Sequence, residues 1–84
     1  MAANLRPLAR KLQTALAIRQ GRRFTISQYQ AWSAKANRMV TKYVVAEYFP
    51  DQGNYQNRLA TWNYAEIVKY FAAELNGGNA DAQG

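Results

Sequence analysis

The chain has 84 residues and a formal net charge of +6, with no His and no Cys. That length allows one domain, and the composition removes the usual general base near neutral pH, the thiolate nucleophile and the common zinc ligands. The five acids, Glu47, Asp51, Glu66, Glu74 and Asp81, form no catalytic motif, and no glycine-rich phosphate loop occurs, so the expectation is a protein that is not an enzyme, with no metal, no cofactor and no small-molecule substrate.

In chain order, Leu5, Leu8, Leu12, Ala15 and Leu16 recur at helical spacing, with Arg6, Arg10, Gln13 and Ala17 on the other side. This predicts a helix over 5–20. Asn4 is the expected N-cap, Pro7 is tolerated in a first turn, and Gly21 provides the stop. The Arg-rich, acid-free segment 1–20 superficially resembles an organellar transit peptide. Its loss would leave too little chain for a comfortable fold, so it is read as part of the domain.

Phe24 and Ile26 share one face of a short strand or stiff connector over 23–26. Ser27 with Gln30, or Thr25 with Gln28, has capping-box spacing, and Tyr29, Trp32, Ala36, Met39 and Val40 form an apolar stripe, predicting a second helix over 27–39. The stretch 39–49 is crowded with β-branched and aromatic residues. Either the helix continues through Tyr48, giving an all-α three-helix bundle, or 41–48 forms a strand; the density of β-formers favours the strand. Residues 50–54 signal a turn, and 58–61 return as the second strand of a hairpin.

Asn63 and Glu66 make a capping-box-like pair, and Trp62 and Ile67 have the spacing of a hydrophobic staple. Ile67, Val68, Phe71 and Leu75 form the stripe of a helix over 64–75 that Gly77 ends, and the polar segment 76–84 is expected to be a disordered tail. The fold class expected is α+β: one basic domain over 1–75, with three helices and a small antiparallel hairpin or three-stranded sheet. The all-α three-helix bundle is the alternative. Leu12, Leu16, Trp32, Phe71 and Leu75 are the expected core.

Charge gives the functional lead. Nine of the eleven basic residues lie at or before Lys42 and no acid precedes Glu47, so residues 1–42 carry +9; the remainder, with two basic and five acidic residues, carries −3. Such asymmetry presents a positive surface that steers polyanions. Arg19, Arg22 and Arg23 read either as a phosphate clamp, since guanidinium presents a planar fork to oxyanions, or as cations complementing a helix C-terminus. Lys35, Arg38 and Lys42 share one face of the predicted second helix with no acid beside them. Trp32 and Trp62 read as packing residues. Tyr55 in a loop and Tyr70 on the outer side of the last helix are candidates for base stacking or a protein interface. The order helix, Gly21, helix also permits a helix-turn-helix, with Ser27, Gln28, Gln30 and Ala31 as base-reading residues.

The segments Gln28-Tyr29-Gln30-Ala31-Trp32, Arg38-Met39-Val40-Thr41-Lys42-Tyr43-Val44-Val45, Ala60-Thr61-Trp62 and Ile67-Val68-Lys69-Tyr70-Phe71 together resemble small uncharacterised proteins of bacterial prophages and other mobile elements. The resemblance spans most of 5–75 and lies in apolar and aromatic positions. It implies the order helix, strand, helix, hairpin, helix and carries over no site residue.

The function expected is non-catalytic nucleic-acid binding through phosphate contacts, at Arg19, Arg22, Arg23, Lys35 and Arg38. The alternative is a protein-interaction or homo-oligomerising module, with a homodimer held by attraction between the +9 and −3 halves. No apolar run approaches the roughly 20 residues of a membrane span, so no membrane is expected. The absence of Cys is compatible with a reducing cytoplasm, the expected location.

Overall fold

Two helices flank a three-stranded sheet in the order α1 (Arg6–Gln20), β1 (Arg23–Ser33), β2 (Arg38–Phe49), β3 (Asn54–Thr61) and α2 (Tyr64–Gln83). The computed structural model describes residues 4–83, with side chains as far as Gly77.

The C-terminal end of α1 follows the sequence signal, but its start does not: the N-cap is Leu5 instead of Asn4, and it makes no side-chain cap bond. Asn4 Oδ1 accepts from the Arg6 amide at 3.1 Å, and Pro7 stands in the first turn. Gly21 takes the left-handed conformation at φ 66°, and its amide donates to Ala17 O while the Arg22 amide donates to Leu16 O. Those two bonds close the last carbonyls of the helix, which is the purpose of a glycine at that position.

The strands form an antiparallel meander, β1-β2-β3. β1 and β2 pair along their whole length, from Arg23 opposite Tyr48 to Ser33 opposite Arg38. β3 pairs only with residues 43–49, from Tyr43 opposite Thr61 to Phe49 opposite Asn54. Residues 29–33 and 38–42 therefore extend beyond the third strand as a two-stranded arm. Its turn, 34–37, contains neither Gly nor Pro. Instead Ser33 Oγ accepts from the Ala36 amide at 3.1 Å, and Asn37 adopts φ 55°, a conformation that Asn tolerates better than most residues.

The helix predicted over 27–39 is thus part of β1, the turn of the arm and the start of β2, and the described residues form two helices where three were expected. The all-α bundle is overturned by the same finding. A helix is stabilised mainly by burying its apolar stripe, and no element covers this one: Tyr29, Trp32 and Met39 are 50%, 58% and 52% exposed. Pairing with the β-formers of 39–49 provides a full ladder of backbone hydrogen bonds instead. The strands predicted over 23–26, 41–48 and 58–61 all lie inside observed strands, and the turn predicted over 50–54 joins β2 to β3.

The core is built from Ala9 and Leu16 of α1, Phe24 and Val45 of the sheet, and Ile67 and Phe71 of α2. Leu16 and Phe71 are buried as expected, Leu12 and Leu75 pack partly against this cluster, and Trp32 lies outside it. Phe24 meets Tyr70 and Phe71 edge-on at 6.0 and 5.3 Å between ring centres, the geometry favoured by aromatic quadrupoles. Asn63 caps α2, with Oδ1 accepting from the Ala65 amide at 3.0 Å. α2 runs through Gly77 to Gln83 instead of stopping at Gly77. The reading of 76–84 as a disordered tail falls mainly on side chains outside those described. No described helix is long and apolar enough to cross a membrane.

Candidate nucleic-acid interface

Side chains alternate across a strand, so the sheet has two faces of different character. One face, carrying Phe24, Ile26, Tyr43, Val45, Glu47 and Leu59, packs against the helices. The opposite face carries Arg23, Thr25, Ser27 and Tyr29 from β1. From β2 it has Arg38, Val40, Lys42, Val44, Ala46 and Tyr48, and from β3 Tyr55, Asn57 and Ala60. No helix covers that second face, and Arg23, Thr25, Ser27, Tyr29, Arg38, Tyr55, Asn57 and Ala60 are all exposed.

The described acids are placed elsewhere. Glu47 is buried at 5% exposure on the helix side, where Arg22 Nε and Nη2 donate to its two oxygens, each at 2.9 Å. Arg22 also meets Glu74 at 2.8 Å, and its guanidinium lies 5.0 Å above the Phe24 ring. Hydrogen bonding to Glu47 holds the Arg22 guanidinium above its ordinary pKa despite the desolvation that opposes it. A register shift between Val45 and Ala46 puts Leu59 opposite the first and Asn57 opposite the second, leaving Arg58 as the extra residue of a bulge. Arg58 Nε lies 3.3 Å from the Tyr70 hydroxyl and 3.6 Å from Glu47. The hydrogen bond to Tyr70 raises the Arg58 pKa. Glu66 pairs with Lys69 on α2, and Asp51 sits in the β2–β3 turn.

Eight of the eleven basic residues therefore have no acid partner among the described residues. Arg23, Arg38 and Lys42 stand on the open face, and Lys35 stands in the turn of the arm. Arg6, Arg10, Lys11 and Arg19 are on α1. Arg6 is engaged within the molecule, stacked 4.7 Å over Tyr64 and donating to Gln28. Arg10 and Thr14 line a shallow groove with Arg23, Thr25 and Tyr55, so the flank of α1 joins the open face around the edge of β1. Gln13 ties down that edge by donating to Phe24 O.

Of the residues expected to bind phosphate, the structure brings Arg23 and Arg38 onto the open face and leaves Lys35 in the turn of the arm. Arg22 does not join them. The premise that no acid lies near it fails, because Glu47 and Glu74, distant in sequence, fold against it. Arg19 lies nine residues from Arg10, about 180° around a helix of 3.6 residues per turn, and so on the opposite flank of α1. Lys35, Arg38 and Lys42 do not share a helical face as expected; Arg38 and Lys42 share a strand face instead.

The helix-turn-helix reading is overturned, since 27–31 is strand. Of its base-reading candidates, Ser27 and Ala31 lie on the open face; Gln28 and Gln30 lie on the other, bonded to Arg6 and Thr41. Tyr55 is on a strand rather than a loop, and Tyr70 packs into the core instead of facing outward. Sequence reasoning missed Thr25, Tyr48 and Asn57, whose common face emerges only once the strand register is known. Comparison with family models, curated proteins and solved structures returns no match, so the resemblance to mobile-element proteins rests on its apolar pattern alone.

Proposed function

We propose that the chain is a non-catalytic nucleic-acid-binding protein that contacts the sugar–phosphate backbone through the open face of its sheet and the β1–β2 arm. The observation that carries this reading is the separation of charge. The open face and arm hold Arg23, Lys35, Arg38 and Lys42 with no acid among them, whereas the described acids sit on the helix side or in the β2–β3 turn. A face that only conferred solubility would mix both signs, and unpaired cations on a ridge suit a polyanion whose bound counterions they release. Arg10, reached through the groove beside Tyr55, extends the positive strip onto α1. A cytoplasmic location and a mobile-element origin belong to the same proposal.

The test is fluorescence anisotropy with labelled duplex DNA and duplex RNA at low ionic strength. Binding that weakens severalfold in Arg23→Glu/Lys42→Glu, with the circular dichroism spectrum unchanged, supports the reading; no binding to either probe ends it. A second reading, a homodimer, is favoured by Trp32 and Met39, which face each other on the helix-side face of the arm and are more than half exposed. Sedimentation of the wild type against Trp32→Ser separates a dimer held by that pair from a monomer.

A further inference from the structure

Resting on the nucleic-acid reading above, the shape and chemistry of the open face narrow the ligand. The middle of the face is shallow. Thr25 and Ser27 of β1, Val44 and Ala46 of β2, and Asn57 and Ala60 of β3 are all short side chains. The long ones flank that three-stranded part: Arg23, Tyr48 and Tyr55 at one end, and Tyr29 and Lys42 at the other, with Arg38 four residues farther out along the arm. Along β2, ten residues separate Arg38 from Tyr48, the partner of Arg23. At about 3.4 Å per residue this is roughly 34 Å between the terminal cations.

A single-stranded ligand calls for aromatic rings free to stack bases in the middle of the sheet. Here aromatics flank the three-stranded part instead of lining its middle, and three of them already face partners, while Tyr29, at the junction with the arm, is half exposed. Tyr48 and Tyr55 pack on each other at 5.0 Å, and the Lys42 ammonium lies 4.8 Å over the Trp62 ring. Duplex RNA hides its base edges in a deep, narrow major groove and is bound across its shallow minor groove, where the base-reading side chains of this face would find no major-groove edge to contact. The major groove of DNA is about 12 Å wide and 8.5 Å deep and admits a two-stranded β-ribbon; the arm is such a ribbon, and the backbones of all three strands, at about 4.8 Å spacing, span roughly 10 Å.

We infer that the face takes duplex DNA and seats in its major groove. Thr25, Ser27 and Asn57 meet base edges, while Arg23, Lys35, Arg38 and Lys42 hold phosphates along the groove walls. The Asn57 amide carries the donor and acceptor that adenine N7 and N6 require, and the methyls of Val44, Ala46 and Ala60 suit contact with the thymine methyl group. Hydroxyls at Thr25 and Ser27 bond to any base, so Asn57 is the main source of sequence preference.

The experiment uses the full chain and a fluorescent duplex of about two helical turns. Methyl green, which occupies the major groove, and netropsin, which occupies the minor groove, compete in turn. Single-stranded DNA and duplex RNA serve as alternative probes at the same salt. The expected result is displacement by methyl green and not by netropsin, with duplex DNA bound at least about tenfold more tightly than the other probes. Selection from a random duplex pool then yields a preferred site that the wild type distinguishes and Asn57→Ala does not. Displacement by netropsin, or equal binding of single strands or RNA, overturns the groove assignment and leaves phosphate binding by the face intact. Failure to bind any of the probes removes the underlying reading as well.

Discussion

Arg22 and Glu47 meet through two parallel hydrogen bonds of 2.9 Å, joining the segment that links α1 to β1 with the middle strand of the sheet. Glu74 brings α2 to the same guanidinium, Arg58 brings β3 to the same carboxylate, and Gln20 donates to Glu74 O at 3.2 Å. One polar cluster therefore ties both helices to β2, to β3 and to the segment leading into β1. Two of the chain's basic residues are structural for this reason, however suitable their charge for a polyanion.

The first prediction is that Arg22→Ala destabilises the fold by about 3–5 kcal/mol, because it takes both hydrogen bonds from the buried Glu47 carboxylate and leaves it only Arg58 at 3.6 Å. A loss of that size is a large part of the 5–15 kcal/mol typical of a small domain. The double variant Arg22→Met/Glu47→Leu recovers most of it, since a buried pair is replaceable by apolar side chains of similar volume. Urea denaturation of the three proteins checks this. A single variant as stable as the wild type would show that the cluster contributes nothing.

Phe71→Ala and Trp32→Ser separate core from surface. The first removes a fully buried ring and is expected to cost about 3–5 kcal/mol. The second changes a side chain more than half exposed on the arm and is expected to stay within about 0.5 kcal/mol. Thermal melts of both variants decide it, and a large loss at Trp32 would mean that the arm packs against something.

The contrast between those two residues shows how far the sequence was legible. α1 and the start of α2 were readable because their stops and caps are local: Gly21 after the last apolar residue, and Asn63 three residues before Glu66. The β2–β3 hairpin was readable from the Pro50 to Asn54 turn signal and the β-formers before it. The arm was not. Tyr29, Trp32, Ala36 and Met39 fall at helical spacing by coincidence, and an arm bare on both faces shows no alternation of apolar and polar residues. Its turn lacks Gly and relies on Asn37. For the site, sign and rough location were visible in the charge asymmetry. Which cations remain free was not, because Glu47 and Glu74 reach Arg22 across 25 and 52 residues.

Caps give a third prediction. Asn63→Ala removes the acceptor for the Ala65 amide and is expected to cost about 1 kcal/mol. Gly21→Ala forces a side chain into φ 66° with open space around it, so the cost is conformational, about 1–2 kcal/mol. Denaturant midpoints that do not shift in either variant would contradict the assigned helix ends.

The most direct test of the proposed interface is the salt dependence of affinity for a labelled DNA duplex. Neutralising four phosphates with Arg23, Lys35, Arg38 and Lys42 gives a slope of log affinity against log salt near about −3.6. Removing Arg38 or Lys42 as Ala variants makes that slope shallower by about 1 each. Arg19→Ala, on the far flank of α1, leaves it unchanged. Equal losses from Arg19 and from the sheet residues, or a slope unmoved by Arg38→Ala and Lys42→Ala, would contradict the assignment of the open face.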